Sequence, residues 1–498
     1  MVANSPSRPI EARAGGRLFA GPSHLPDDPQ PTTAGASQDP DHHQTSAPEK
    51  PWPRHSRVSG RRPPVRSLDH VAALRGHASR VIAATTARAR LGRPRGRLMA
   101  NPPAVLLGGI TNALSVARGL GTIGVKSHAV GPPNSPVSAS RHCASFTAIS
   151  EPDVQRKTFD WLLDSAPRGA VLLPCDDDSL ELVVQRRREL VDVGHMPIYA
   201  NDDVVGFLLD KERTYDIARS CNVGAPRTVT LRSASDLEHA LREISLPSAL
   251  KPLHIHDFAR HFRRKVILVR SESELRAAFK RTNELDLAML LTEIIPGPED
   301  RYWSYYTYVD SSGRCLVDFT KQKIRQYPIG FGGATYHVTQ WNPQIAEAGK
   351  RFVEGAEIRG MACVEFKIDP RDGEPKIMEC NARVTAANEL VRAAGIDLGI
   401  IAYQDAADLP ISPFAGFRDG VRLWYPLQDW LAFRGLRRTG EITFPGWLGS
   451  LAHRQRFPVF SATDPLPAAR GLLRFPGRVI AKSRRAPEAS SDPGAEFS

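Results

Sequence analysis

The stretch 361–383, with the sequence MACVEFKIDPRDGEPKIMECNAR, limits the fold of this chain more than any other feature. Apolar and polar residues alternate over 362–369, and this period of two predicts a β-strand with one buried face. Turn-forming residues fill 370–375, after which the alternation resumes. The stretch therefore predicts a β-hairpin, and a register symmetric about the turn pairs Glu365 with Glu379.

Two carboxylates that face each other across a hairpin repel unless a cation lies between them. Glu365, Glu379 and Asn381 offer hard oxygen ligands, which suit Mg²⁺ bound by a few protein groups together with phosphate oxygens. Arg383 follows two residues later, where its side chain would meet an anion. The spacing alone is equally compatible with a surface hairpin whose charges are solvated.

The charge of the chain lies mostly in its first hundred residues. The whole chain of 498 residues has a net charge of +12. Residues 1–100 contain sixteen basic and seven acidic side chains and contribute +9 of it. The high isoelectric point therefore does not argue for a body that binds nucleic acid. We expect residues 1–100 to be a disordered basic region rich in Pro and Arg, and residues 482–498 to be a disordered tail.

The cysteines and the apolar segments limit the class of protein. The six cysteines are dispersed and form no CxxC pair, so the sequence predicts neither a zinc site nor a disulfide framework. No apolar run approaches the roughly 18–20 residues that span a bilayer. The N-terminus lacks the apolar core of a signal peptide. We therefore expect a cytoplasmic protein with neither membrane nor nucleic acid as a partner.

Residues 101–205 have the pattern of an open, mainly parallel α/β domain. An apolar strand at 104–107, a glycine turn, a helix and a second strand at 125–130 form a βαβ unit. Further strands and helices alternate after it. Asp176 to Asp178 follow the strand at 170–173, at the strand end where α/β proteins bind ligands. The same acids would also suit the N-terminus of a helix, and both interpretations stay open.

The region from residue 206 onward contains several basic groups at positions that favour anion binding. Lys211 begins a helix, and Lys251 lies within an apolar strand, where its charge needs a phosphate or a carboxylate partner. The loop 254–265 is rich in His and Arg. An apolar strand over 289–295 leads into Pro-Gly-Pro-Glu. A basic segment then runs into a glycine-rich loop over 321–333, which is a plausible place for an anionic substrate.

Taken in order, these features resemble the ATP-grasp superfamily over about residues 104–405. The KxKxRxxPxGFGG segment and the loop after Lys251, which has few glycines, are similar to the branch that contains D-aspartate ligases and predicted carboxylate–amine ligases. The fold class that this resemblance implies is α/β and α+β. It consists of a pre-ATP-grasp parallel α/β domain, then a two-subdomain ATP-grasp domain over 206–405, divided near residue 293. A C-terminal extension over 406–481 would pack on this core.

The resemblance also implies roles for individual residues. Lys211 and Lys251 would contact ATP phosphates. The hinge that begins at Thr292 would hold the nucleoside, with Glu293 and the Ile295 backbone at adenine and Glu299 at the ribose hydroxyls. The family usually has a Gly/Ser-rich phosphate clamp after the strand lysine, and this chain departs from that pattern.

The remaining implied roles concern the metal and the reaction. Two Mg²⁺ ions, or Mn²⁺, would be held by Glu365, Glu379 and Asn381, and Arg383 would stabilise the transferring phosphoryl group. The cations expected near the γ-phosphate or the substrate carboxylate are Lys321, Lys323 and Arg325.

The implied function is an ATP- and magnesium-dependent ligase that joins a small carboxylate to a small amine. The carboxylate would become an acyl-phosphate, the amine would displace phosphate, and ADP and phosphate would be released. One alternative is an ATP-binding regulatory or scaffold protein, although the intact set of metal ligands argues against it. Another is a carboxylase-like ATP-grasp enzyme, although the sequence has no biotinyl-type Met-Lys-Met segment.

Overall fold

A computed structural model describes residues 101–473, except for Tyr199, Asn201, 254–261 and 263–265. The predictions for residues 1–100 and 482–498, and for nearly all of the loop after Lys251, lie outside the described residues. None of the described helices is long and apolar enough to cross a membrane.

The first part of the described chain is built on a parallel five-stranded sheet with the order β3-β2-β1-β4-β5. Its strands are β1 (Ala104–Leu107), β2 (Ser127–Gly131), β3 (Cys143–Ala148), β4 (Val171–Pro174) and β5 (Met196–Pro197). Helices α1 (Thr111–Thr122), α2 (Val154–Asp164), α3 (Asp177–Asp192) and α4 (Asp202–Leu208) accompany it. Alternate residues of β1 enter two different cores, so both faces of the sheet are covered.

A second, antiparallel sheet has four strands in the order β6-β9-β7-β8. It consists of β6 (Thr228–Leu231), β7 (Ser248–Pro252), β8 (Ile267–Val269) and β9 (Met289–Glu293). Helix α5 (Lys211–Ser220) precedes it, and α6 (Ala234–Glu243) and α7 (Glu272–Glu284) pack their apolar sides on it in one core. Ser233 and Ser271 cap these last two helices by accepting backbone N–H bonds.

The third sheet has seven strands in the order β14-β13-β10-β11-β12-β15-β16. Its first five members are antiparallel: β10 (Tyr302–Val309), β11 (Phe319–Tyr327), β12 (Gly333–Thr339), β13 (Gly360–Ile368) and β14 (Pro375–Asn381). Helix α8 (Pro343–Gly355) lies between β12 and β13 in the chain. Helices α9 (Asn388–Ala394) and α10 (Leu398–Ala406) follow β14. The predicted fold class, a parallel α/β unit followed by antiparallel sheets, is confirmed.

The segment after residue 405 adds both strands and helices. It supplies β15 (Arg422–Trp424) and β16 (Gln455–Arg456), which extend the seven-stranded sheet, and helices α11 (Pro426–Arg438), α12 (Phe444–Ser450) and α13 (Leu466–Leu473). A buried ion pair between Arg118 and Asp464 joins the end of this segment to α1. The segment is therefore part of the same sheet that contains the predicted metal ligands.

Candidate active site

The hairpin predicted from the sequence is formed by β13 and β14. Glu365 lies directly across from Glu379, and Cys363 lies across from Asn381. The alternate residues Val364 and Phe366 are fully buried in a core on the other side of the sheet. Both glutamates lie on the other, open face, and the pairing that the sequence analysis assumed is reached through a register shift between Glu365 and Phe366.

The register across the neighbouring strands extends this face beyond the hairpin. Ser304 of β10 pairs with Glu365 on one side and with Lys321 of β11 on the other. Lys323 in turn lies opposite His337 of β12. Because directly opposed residues share a face, the open side of the sheet is acidic at β13 and β14 and basic at β11 and β12.

The acidic end has the composition of a magnesium site. Asn381 donates from Nδ2 to Glu379 Oε1 over 3.2 Å, so the amide and the carboxylate lie side by side. Among the described residues, no three His, Cys, Asp or Glu side chains are grouped as a closed metal cage. Two carboxylates and one amide oxygen are instead a partial set, which Mg²⁺ completes with phosphate oxygens and water. Glu365, Glu379 and Asn381 thus fit the metal that the resemblance implies.

Two lysines lie near this acidic end. Lys251 is in β7, where burial lowers the pKa of its ammonium and the Glu379 carboxylate opposes that shift. Lys211 is the first residue of α5, and Asp210 caps this helix by accepting bonds from the Glu212 and Arg213 amides. A cavity of about 150 Å³ is lined by Lys211, Glu379 and Asn381. The structure therefore brings Lys211 and Lys251 to the metal ligands.

The basic end contains two lysines with little solvent exposure. Lys321 is 2% exposed and Lys323 is 7% exposed. Burial lowers the pKa of Lys321, and the Glu365 carboxylate opposes this shift. Lys323 donates from Nζ to Gln326 Oε1 over 3.0 Å and lies 4.2 Å from the centre of the Tyr302 ring. Both cations lie on the same face of the sheet as the predicted metal ligand Glu365.

His337 is a site residue that the sequence analysis missed. Its side chain is 4% exposed, and neither ring nitrogen has a hydrogen-bond partner among the described residues. Burial, followed by the charges of Lys321 and Lys323, lowers the pKa of His337 well below its usual value; the nearby Ala334 backbone opposes this only weakly. A neutral, unpartnered imidazole beside two lysines is available to donate to an anion. Only the strand register reveals its position.

Arg383 reaches across to the first domain. Its Nε and Nη2 donate to the two carboxylate oxygens of Asp177 over 2.7 and 2.8 Å. Burial alone would lower the pKa of the guanidinium, but the hydrogen bond and charge of Asp177 together with the charge of Glu379 outweigh burial, and the pKa is raised. The neighbouring Asp176 instead caps α3 through the Ser179 amide and accepts a bond from the Gly109 amide. The helix-capping interpretation of the acidic loop is therefore confirmed for Asp176, whereas its interpretation as a ligand-binding loop stays a prediction.

The structure corrects the expected position of Arg325. A bulge lies between Lys323 and Arg325, so Arg325 pairs with Tyr336 and not with the next residue on the face of His337. Its side chain consequently points to the opposite side of the sheet, where it donates to both oxygens of Asp429 over 2.8 and 2.9 Å. The structure therefore does not bring Arg325 together with Lys321 and Lys323, contrary to the expectation that the three cations lie side by side.

The predicted nucleotide hinge has side chains that are already engaged. Glu293 accepts from Arg371 over 2.7 Å, whereas Thr292 is buried and its hydroxyl has no hydrogen-bond partner within the described part of the chain. Glu299 accepts bonds from the Gln326 and Gly330 amides over 2.9 and 3.2 Å. A carboxylate retains further lone pairs after two such bonds, so the ribose role of Glu299 stays a prediction.

Lys367 fixes the shape of this hinge, and the sequence analysis did not identify it. It donates from Nζ to the carbonyls of Ile295 and Gly297, both over 2.8 Å. Burial lowers the pKa of Lys367 to about 8. One sequence signal could have identified Lys367 as a site residue. It lies two residues after Glu365, which puts both side chains on the same face of β13. The Ile295 carbonyl keeps a second lone pair after this bond, so the predicted contact of the Ile295 backbone with adenine stays a prediction.

Comparison with solved structures defines the fold. The chain is similar to an N5-carboxyaminoimidazole ribonucleotide synthetase solved as its ADP complex, with a TM-score of 0.51, 15% identity, and coverage of 66% of this chain and 82% of that one. It is also similar to the biotin carboxylase domain of Hydrogenobacter thermophilus 2-oxoglutarate carboxylase, solved with MgADP, with a TM-score of 0.51, 16% identity, and coverage of 64% and 73%. The chain has the ATP-grasp fold.

A sequence match to a curated protein is more specific than these structural similarities. The chain is 24% identical over 245 residues to D-aspartate ligase of Enterococcus faecium (strain Aus0004). The match spans 47% of this chain and 58% of that protein, which is less than two thirds of the relative's length. No protein-family model matches the chain.

Proposed function

We propose that this protein is an ATP- and magnesium-dependent carboxylate–amine ligase. The observation that supports it best is the single open face on which the opposed Glu365 and Glu379 continue into Lys321, Lys323 and His337. In this proposal a metal–phosphate group lies at the acidic end of the face and a substrate carboxylate at the basic end. The similarity to D-aspartate ligase supports the same class of reaction.

The nucleotide would lie along the hinge that follows β9, with its phosphates toward Lys211 and Lys251. Mg²⁺, held by Glu365, Glu379 and Asn381, would neutralise charge on the phosphates. Positioning and charge neutralisation supply most of the catalysis of phosphoryl transfer.

The substrate carboxylate would be held by Lys321, Lys323 and the neutral ring of His337. One carboxylate oxygen attacks the γ-phosphorus while the bond to ADP breaks, which gives an acyl-phosphate and ADP. The amine then attacks the acyl carbon, and inorganic phosphate leaves with the electrons of the carbon–oxygen bond. The charged lysines and the imidazole N–H act here by orienting the carboxylate toward phosphorus.

No protein nucleophile takes part in this scheme. Cys363 is on the open face and fully buried, and burial raises its pKa to about 12, so it stays a thiol at neutral pH. Arg383 would exchange its forked contact with Asp177 for the phosphoryl oxygens as charge moves onto them. A guanidinium suits this role because its two parallel N–H groups match two oxygens.

Trapping the intermediate tests the proposal without knowledge of the amine. The protein is incubated with Mg·ATP, hydroxylamine and pools of small carboxylates, and both ADP and hydroxamate are measured. We expect one pool to give equal amounts of the two products, because hydroxylamine intercepts an acyl-phosphate. A regulatory or scaffold protein would give neither, and a carboxylase-like enzyme would release ADP with bicarbonate alone.

A matched pair of variants connects that activity to the proposed metal site. Glu379→Gln should abolish both products while the protein stays folded, because it removes one ligand charge and also relieves repulsion with Glu365. Glu374→Gln changes an exposed glutamate in the hairpin turn and should retain activity. Turnover like that of the wild type in Glu379→Gln would contradict the metal assignment.

A further inference from the structure

The outer face of α11 differs from an ordinary solvated helix face. Its inner side is buried through Asp429, Ala432, Phe433 and Leu436. The outer side has an apolar first half and a basic second half. At helical spacing along it lie the exposed residues Leu427, Trp430, Arg434, Arg437 and Arg438. Aromatic and basic groups on one face of an amphipathic helix are typical of helices that lie on a membrane surface.

Helix α12 continues the apolar part of this face. Phe444 is 45% exposed and Leu448 is 54% exposed. The ring centre of Phe444 lies 5.9 Å from that of Phe433, and Trp430 lies 5.6 Å from Trp447. The exposed rings are therefore the rim of an aromatic cluster whose centre is buried. We call the exposed set the aromatic–basic patch: Leu427, Trp430, Phe444, Leu448, Arg434, Arg437 and Arg438.

The patch is held rigidly by the sheet. Trp447 donates from Nε1 to Asp429 over 2.9 Å, and the same carboxylate binds Arg325 of β11. Exposed aromatic groups fixed in this way are ready to bind without the entropy cost of ordering a loop.

The charge around the patch identifies the chemistry of its partner. Between residues 430 and 460 the exposed charged residues include five arginines and one glutamate, Glu441. An occupant must therefore be anionic and must also cover apolar rings. Tryptophan and phenylalanine prefer the headgroup level of a bilayer, and arginines near an anionic leaflet are attracted to it.

Other occupants available from this chain have the wrong charge. Residues 1–100 are net positive, with sixteen basic and seven acidic side chains. Residues 474–498 have five basic and three acidic side chains. A second copy packed through the same patch would place arginines against arginines, since a two-fold interface is self-complementary. We propose that the aromatic–basic patch docks this protein on an anionic membrane surface, contrary to the expectation of no membrane partner.

The test measures sedimentation of the full chain with vesicles. One set contains equal parts of phosphatidylglycerol and phosphatidylcholine, and the other contains phosphatidylcholine alone. We expect binding to the anionic set, weakened by salt, and much weaker binding to the zwitterionic set. Arg434→Gln, Arg437→Gln and Arg438→Gln combined should lower the partition coefficient about 100-fold, at about fivefold for each arginine. Trp430→Ser with Phe444→Ser should lower it at least about tenfold.

Control variants separate the patch from general charge and exposure. Trp341 is 42% exposed and Trp430 is 41% exposed, so Trp341→Ser is a matched control that should bind like the wild type. Arg188→Gln with Lys280→Gln changes two exposed cations elsewhere and should reduce binding by much less than the patch variant does. Thermal unfolding checks that the serine variants are folded, and the arginine variant gives an independent result if they are not.

Several outcomes would overturn the proposal. These are absence of binding to anionic vesicles, equal binding by the patch variants and the wild type, and a dimer in solution that only the patch variants dissociate. Equal loss of binding in the Trp341→Ser control would also overturn it.

Discussion

Arg383 and Arg325 each form a forked ion pair with an aspartate, and the surroundings of these pairs differ. Arg383 binds Asp177 at the mouth of the candidate active site, where their side chains are 17% and 53% exposed. Arg325 binds Asp429 on the opposite side of the sheet, where the corresponding values are 4% and 0%. The donor–acceptor distances of both pairs lie between 2.7 and 2.9 Å. Geometry alone therefore does not distinguish a functional arginine from a structural one.

The two ion pairs differ in the surroundings of their aspartate carboxylates. Asp429 also accepts bonds from Thr335 over 3.0 Å, Trp424 over 3.0 Å and Trp447 over 2.9 Å. A buried carboxylate with this many donors cannot change partners without leaving charge unpaired. Asp177 faces solvent, and water can replace Arg383 at little cost. Of the two arginines, Arg383 is the one free to move to a phosphoryl group.

Removing the buried carboxylate should have the largest effect. Asp429→Ala leaves Arg325 as an unpaired buried charge and also leaves two indole N–H groups without their acceptor. We expect the free energy of unfolding to fall by about 3–5 kcal/mol, measured by urea denaturation. A loss below about 1 kcal/mol would show that this pair is no more structural than the one at the cleft.

Arg383→Lys should affect the reaction and not the fold. A lysine keeps the charge but loses the fork, so we expect kcat to fall by about 10²-fold or more. Hydroxamate formation measures kcat, and a binding titration should show little change in affinity for ATP. The free energy of unfolding should change by less than about 1 kcal/mol. Loss of stability equal to that of Asp429→Ala would remove the contrast between the two pairs.

His337 is a third basic side chain in this comparison, and it is buried. Unlike the two arginines, it makes no hydrogen bond to a carboxylate among the described residues. Its lowered pKa means that the unfolded chain binds the proton more readily than the folded one. The free energy of unfolding that depends on His337 is therefore fully present above pH 6.5, the ordinary pKa of histidine, and it decreases as the pH falls below that value. His337→Gln should remove this dependence, so wild type and variant should diverge by up to about 1.4 kcal/mol per pH unit below that value. Unfolding curves that stay parallel between about pH 5 and pH 7 would contradict this.

Asp177→Asn should have the smallest effect. The Asp177 side of the pair is half-exposed and water can reach Arg383 there, so we expect the free energy of unfolding to change by about 1 kcal/mol, with the difference reduced at high salt. Activity should fall far less than in Arg383→Lys, because the guanidinium remains free to meet phosphate. If kcat falls as far as in Arg383→Lys, Asp177 is needed to hold the arginine during the reaction.

The sequence could predict those parts of the fold and site that depend on local pattern. The hairpin itself follows from two alternating stretches and a turn-rich segment, whereas the opposition of Glu365 and Glu379 also depends on a register shift between Glu365 and Phe366 that no local pattern predicts. The caps at Ser233 and Ser271 follow in the same way from short motifs.

The sequence could not predict the side-chain positions that depend on how one strand pairs with its neighbour. The bulge that turns Arg325 away from the open face exists only in the pairing of β11 with β12. His337 becomes a site residue only because that same pairing places it opposite Lys323. Lys323 and Arg325 have identical alternation in the sequence, and tertiary pairing separates them.

The transfer of oxygen from substrate to phosphate tests the central claim most directly. Once the hydroxamate screen has identified the carboxylate, it is labelled with ¹⁸O and turned over with Mg·ATP and the amine. If the carboxylate attacks the γ-phosphorus, one labelled oxygen per turnover should appear in inorganic phosphate, with ADP as the nucleotide product. Label that stays entirely in the amide product and unreacted carboxylate, or AMP in place of ADP, would contradict the acyl-phosphate mechanism.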